Sequence, residues 1–134
     1  MTAPEGDVVF DTWAWFEVLQ KTATGCRLHE DYVEPGRVVT PALALTELAG
    51  KVWRGGTDWR QADEVVRAVR LRSRVVPLGD DVAALAAQLS KPLREQEPHA
   101  SYADAIMLAT ARTEGLPLIS NDRAFRGCPD VRPG

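Results

Sequence analysis

Four short apolar runs punctuate the chain, and between them apolar residues recur at helical spacing. "DVVF" (7–10), "RVVT" (37–40), "RVVPL" (74–78) and "LPLIS" (116–120) are β-branched or aliphatic stretches of strand length. After the first, "TWAWFEVLQK" sets Trp13, Phe16 and Leu19 three apart with Trp15 and Val18 beside them, which predicts a helix; Gly25 is expected to close that region. Thr40-Pro41 reads as a helix start, with Thr as N-cap and Pro at the first helical position. Leu45, Leu48, Ala49 and Val52 continue that helix until Gly55-Gly56. Another helix is expected from about Asp58 to Leu71, with Ala62, Val65, Val66 and Val69 as its apolar side. "DDVAALAAQLSKPL" opens with acids at the positive end of the helix dipole and carries Val82, Leu85, Ala86 and Leu89 as a stripe. "REQEPHA" (94–100) reads as a polar loop. Ser101 is a good N-cap for the last helix, and Gly115 suits its C-terminal stop. "GCPDVRPG" (127–134) offers a short edge strand.

Strands alternating with helices predict an α/β domain with a central, mostly parallel sheet of four to five strands flanked by helices. No internal repeat, low-complexity block or linker interrupts the 134 residues, so residues 1–134 are expected to form one domain. With 45% hydrophobic and 26% charged residues the composition is that of a globular chain rather than a disordered one. No apolar run is long enough to span a bilayer, and "MTAPEGDVVFDTW" lacks the basic and apolar regions of a leader. Cys26 and Cys128 are too few for a disulfide framework or a cysteine-based zinc site, so a reducing cytoplasm is expected. His29 and His99 lack the spacing of a metal pair and read as surface residues.

A net charge of −3 excludes a molecule that is basic throughout, but the charge is unevenly spread. Residues 1–36 carry Lys21 and Arg27 against seven acids. From Lys51 to Arg74 the balance reverses, with Lys51, Arg54, Arg60, Arg67, Arg70, Arg72 and Arg74 against Asp58, Asp63 and Glu64. That stretch suits either a polyanion path or a solvated helix face.

Four acids fall at chemically suggestive places. Ligand sites in parallel sheets lie beyond the carboxyl ends of the strands. Asp11 directly follows the first strand, and Asp122 lies just past the fourth. Asp104 is in the first turn of the helix feeding that strand, and Glu47 is in the second turn of the helix after the second strand. Each has an ordinary alternative. Asp11 can cap a helix, Ser101-x-x-Asp104 can be a capping-box variant, Asp122 in "SNDR" can be a turn residue, and Glu47 can face solvent. Gathered together, carboxylates repel and one takes up a proton. A divalent cation removes that conflict; hard oxygen ligands suit Mg²⁺ or Mn²⁺, and two such ions can activate water against a phosphodiester.

These residues resemble a PIN domain, and more narrowly a VapC-type toxin ribonuclease. The resemblance covers most of the chain and rests on "VVFDTWAWFEVL", "TPALALTEL" and "YADAIMLATARTEGLPLISNDRAF", with their order and spacing. It implies a three-layer PIN-like fold and places the family's acidic positions on Asp11, Glu47, Asp104 and Asp122. Ser120 and Thr12 match its supporting hydroxyl positions. Asn121 stands where Gly is frequent, and the expectation is that it keeps an αL-capable residue there. The activity implied is a Mg²⁺- or Mn²⁺-dependent endoribonuclease, usually homodimeric, silenced by a small antitoxin protein. Lys51, Arg54 and Arg123 are candidates for holding RNA phosphates. Trp13 and Trp15 are expected in core or dimer packing rather than base stacking.

Rival readings fit less well. A phosphoacceptor receiver domain wants a Lys after its last strand, and "LPLISND" has none. A phosphatase with an Asp-x-Asp motif is contradicted by Trp13. A PIN-like fold used only to bind RNA or protein, its acids idle, remains the alternative.

Overall fold

A computed structural model describes residues 6–56 and 58–134. Residues 1–5, on which the leader reading partly falls, lie outside them. Strands β1 (Val8–Phe10), β2 (Val38–Pro41), β3 (Arg74–Val76), β4 (Leu118–Ile119) and β5 (Val131–Arg132) form one sheet in the order β3-β2-β1-β4-β5. All four pairings are parallel. The expected alternation is present: helices α1 (Thr12–Gln20), α2 (Ala23–Leu28), α3 (Ala42–Arg54), α4 (Trp59–Arg72), α5 (Asp80–Gln96) and α6 (Tyr102–Glu114) connect the strands.

The three layers follow from strand periodicity. Successive side chains on a strand point to opposite faces. Val8 and Phe10 therefore pack with Trp15, Leu28, Tyr32 and Val69 on one face, while Val9 packs with Val82, Ala86, Leu93 and Leu108 on the other. Phe10 is at the centre of the first cluster, edge-on to Trp15 at 5.3 Å and to Tyr32 at 6.1 Å between ring centres. Helix α3 serves both faces, Ala44 in one cluster and Leu48 in the other.

Local expectations are corrected at four places. Thr40 does not cap α3; it ends up inside β2, fully buried, and Pro41 takes the N-cap position without a side-chain bond. The Thr40 hydroxyl is needed elsewhere. It accepts the Trp15 indole N–H at 2.9 Å and donates to Ser73 Oγ at 2.8 Å, which donates to the Val69 carbonyl at 2.7 Å. Gly25 does not close α1. Lys21 does, in the left-handed conformation at φ 56, and Gly25 sits inside α2 against the Glu17 carbonyl. A π-helical turn, His29–Val33, then extends α2 and buries Tyr32 and Val33. Finally, α5 runs through Pro92 to Gln96, so "REQ" at the start of "REQEPHA" is helical, and the loop is shorter than expected, from Glu97 to Ala100. Pro92 removes one helical N–H, but the buried Leu93 anchors the following turn. Among the described residues no helix is long and apolar enough to cross a membrane.

The strand order places the site. The chain builds outwards from β1 to β2 and β3, then returns to lay β4 and β5 on the other side of β1. The direction of winding thus reverses between β1 and β4. Beyond the carboxyl ends of such a pair the connecting loops diverge and leave a crevice.

Candidate active site

Four carboxylates from four segments reach that crevice. Asp11 follows β1 and caps α1, its Oδ1 accepting the Ala14 N–H at 2.8 Å; it is 6% exposed. Glu47, half-buried on α3, accepts the Thr12 hydroxyl at 2.5 Å. Asp104 closes a capping box on α6: its Oδ2 accepts the Ser101 N–H at 2.8 Å and the Ser101 hydroxyl at 3.1 Å, and its own N–H donates to Ser101 Oγ at 3.2 Å. Asp122 caps the 3-10 turn Arg123–Phe125, accepting the Ala124 N–H at 2.9 Å, and its N–H donates to Ser120 Oγ at 3.1 Å.

The capping roles and the gathering of charge have one cause. A helix entered from the carboxyl edge of a parallel sheet begins at the edge where ligands bind, so an acid that caps it stands over the crevice. Asp11, Glu47, Asp104 and Asp122 line a single cleft of about 100 Å³ with Thr12, Trp13, Ala103 and Met107, and among the described residues no Lys, Arg or His lines it.

The crowding shows in the acidities. Burial, chiefly, pushes the Asp11 carboxyl up from 3.8 to about 6; the Ser120 and Ala14 hydrogen bonds pull it down, and the charges of Asp122 and Glu47 push it up again. Asp104 is also raised, by burial first, with Ser101 opposing and the Asp122 charge adding. Hard oxygen donors with an uncompensated negative charge fit Mg²⁺ or Mn²⁺. Among the described residues no three His, Cys, Asp or Glu side chains already converge as a metal-holding group. Ser101 and Thr12 hold Asp104 and Glu47 by hydrogen bonds instead.

A family model for the PIN domain matches residues 8–129, from β1 past the last acid. The chain belongs to the PIN domain family. Among solved structures, this PIN domain is similar to a toxin–antitoxin complex from Klebsiella pneumoniae (TM-score 0.77, 20% identity, 94% of this chain and 96% of that one). It is similar to VapC20 of Mycobacterium tuberculosis, a sarcin-ricin loop cleaving toxin (TM-score 0.69, 24% identity, 95% and 100% covered). It is also similar to VapBC-5, a member of the VapBC family of toxin–antitoxin systems from the same organism (TM-score 0.67, 26% identity, 96% and 98% covered). A search of curated protein sequences finds no match.

Not every expected residue of this PIN domain lies in the cleft. Asn121 does not line it; its side chain accepts the Gly134 N–H at 3.1 Å. The αL-capable Asn121 does not use that conformation, which among the non-glycine described residues belongs to Lys21. Lys51 and Arg54 stand one and two turns beyond Glu47 on α3, outside the cleft. Lys51 lies 3.8 Å over the Phe16 ring. Elsewhere in the basic stretch Arg67 pairs with Asp63 at 3.0 Å on α4, an ordinary solvated helix face, and Arg74 at the start of β3 pairs with Glu114 of α6 at 2.6 Å. Trp15 is core, as expected, but Trp13 forms part of the cleft wall. Its position two residues after Asp11 was the available signal.

Proposed function

We propose that the protein is a Mg²⁺- or Mn²⁺-dependent endoribonuclease, the toxin of a VapBC-type toxin–antitoxin pair. The observation that carries this reading is the convergence of Asp11, Glu47, Asp104 and Asp122 on one cleft without a cationic side chain. The similarity to toxin–antitoxin complexes and to a toxin that cleaves the sarcin-ricin loop supports it.

In this reading Asp11 and Asp104 are the principal metal ligands, with Glu47 and Asp122 completing the set. Bound divalent cations supply charge neutralisation and activation of water for phosphodiester hydrolysis. Thr12 orients Glu47 through its hydroxyl, and Ser120 steadies both Asp11 and the Asp122 backbone. Trp13 and Met107 wall the cleft and limit access of bulk water. Arg123, on the turn that Asp122 caps, and Lys51 and Arg54, further along α3, hold RNA phosphates. A small antitoxin partner, a homodimer, a cytoplasmic location and a single domain over residues 1–134 go with this assignment.

The alternative is a binding module with idle acids. Cleavage of labelled RNA by the purified protein with Mn²⁺ or EDTA, beside Asp11→Asn and Asp104→Asn, decides between them. The nuclease reading expects metal-dependent cleavage lost in both variants. Unchanged RNA across Mg²⁺ and Mn²⁺, with no calorimetric sign of metal binding, would favour the binding module.

A further inference from the structure

A second cavity, of about 290 Å³, adjoins the acid cleft and shares Asp104 and Asp122 with it. Its remaining walls are Glu97, His99, Ala100, Arg123 and Ala124. The chemistry changes across the shared acids. No cation lines the cleft, whereas this cavity brings an arginine and a histidine together with a third carboxylate. Among the described residues neither Arg123 nor His99 is engaged in an ion pair, unlike Arg67, Arg74 and Arg112.

The walls are held from behind. The Glu97 N–H donates to the Leu93 carbonyl at 2.8 Å, and the Glu97 carbonyl accepts the Ala100 N–H at 2.9 Å. Arg94 Nε donates to the Ala100 carbonyl at 3.3 Å. On the opposite side Ala124 is buried and the Asp122 cap fixes the turn that carries Arg123. The volume falls near the lower end of the ~300–1,000 Å³ typical of small-molecule sites, which suits one nucleotide rather than several.

We propose that this cavity is the subsite for the nucleotide next to the scissile phosphate, with Arg123 and His99 holding its phosphate and Glu97 selecting guanine. The proposal rests on the nuclease reading of the adjoining cleft. A guanidinium matches phosphate with two parallel hydrogen bonds, and a histidine ring offers an N–H in either protonation state. A carboxylate only accepts, so it takes a base edge that donates. Guanine presents N1–H and the N2 amino group side by side. Uracil presents one N–H between two carbonyl oxygens, which a carboxylate repels. Single-stranded RNA exposes these edges for reading.

Two measurements on the whole protein separate this proposal from the nuclease reading. The first is cleavage of short RNAs randomised around the cut. Arg123→Ala is expected to raise KM about tenfold with a smaller change in kcat. Glu97→Gln is expected to lose a preference for guanine that the parent shows. The second is ligand-observed NMR with guanosine and uridine 5′-monophosphates in EDTA, where guanosine monophosphate should bind more tightly and lose that binding in Arg123→Ala/His99→Ala. A parent that cleaves, with unchanged KM and base preference in the variants, overturns the subsite and leaves the nuclease standing. A parent that does not cleave but binds guanosine monophosphate through Arg123 overturns the nuclease and keeps the nucleotide site. Equal or absent binding of both nucleotides by parent and double variant overturns the subsite.

Discussion

The Asp11 carboxylate sits in surroundings that hold a proton more tightly than water does. Its folded pKa, about 6, lies above the 3.8 of an ordinary aspartate. The metal-free fold therefore binds this proton more tightly than the unfolded chain does. The sign follows: the ionised group costs stability above pH 6, the cost shrinks as pH falls from 6 towards 4, and it is gone below that. About two pKa units correspond to roughly 3 kcal/mol as an order of magnitude. Asn keeps an acceptor for Ala14 while removing the charge. In EDTA at pH 7.5, Asp11→Asn is expected to melt above the parent, and the gap should narrow as the pH is lowered through 6 towards 4. The same variant should lose at least ~100-fold in Mn²⁺-dependent cleavage and show no Mn²⁺-induced rise in melting temperature. A variant melting below the parent in EDTA at pH 7.5 would show that Asp11 is a structural cap whose charge is tolerated. Thr40 gives a second residue-scale test. Thr40→Val leaves the buried Trp15 indole N–H and the Ser73 hydroxyl without their partner, at an expected cost of about 1–3 kcal/mol in urea unfolding. The cleft acids are not in that chain, so cleavage per folded molecule should be retained.

Among the elements, α1 and α2 pack closely at Gly25. A Cβ on Gly25 would stand 1.9 Å from the Glu17 carbonyl oxygen, and the obstacle is backbone rather than a movable side chain. Gly25→Ala is expected to cost about 2–3 kcal/mol, measured by denaturant midpoint at constant slope. A loss below ~0.5 kcal/mol would mean that the two helices are free to part. The consequence reaches the site, since α1 carries Asp11 at its N-cap and Thr12 at its first turn. Element boundaries were legible where a local signal had no tertiary competitor. Asp58 caps α4, Ser101 caps α6 and Gly115 ends it, all where the residue types indicate. Thr40-Pro41 carried an equally good local signal, but the buried Trp15 indole required a partner, and the strand kept Thr40 for it. The helix with Pro92 likewise continued because burial of Leu93 outweighed the lost backbone bond. Neither outcome is encoded within a few residues of the site.

For the molecule as a whole, charge is arranged by topology more than by sequence position. The acids concentrate at the winding reversal between β1 and β4, while Lys51 and Arg54 extend along α3 from Glu47. RNA approaching the cleft would cross that helix. Arg54→Glu, made in the Asp11→Asn background to prevent turnover, is expected to weaken RNA binding five- to tenfold and to flatten its dependence on KCl. Binding and salt slope both unchanged would assign Arg54 to the solvated face and place the RNA path elsewhere.

By itself the sequence determined the α/β alternation, the apolar faces and the identity of the four acids, because strand and helix periodicities and capping preferences act over a few residues. It also left each acid with an ordinary role, and three of those roles proved real: Asp11, Asp104 and Asp122 do cap. That those caps share one cleft with Glu47 was decided only by the tertiary structure. The strand order β3-β2-β1-β4-β5 sets β1 beside β4, and parallel pairing puts the starts of their following segments at the same edge. The adjoining cavity was likewise invisible in one dimension, since Glu97 and His99 precede α6 and Arg123 follows β4. Residues separated by a helix and a strand meet only when both are folded against the same sheet.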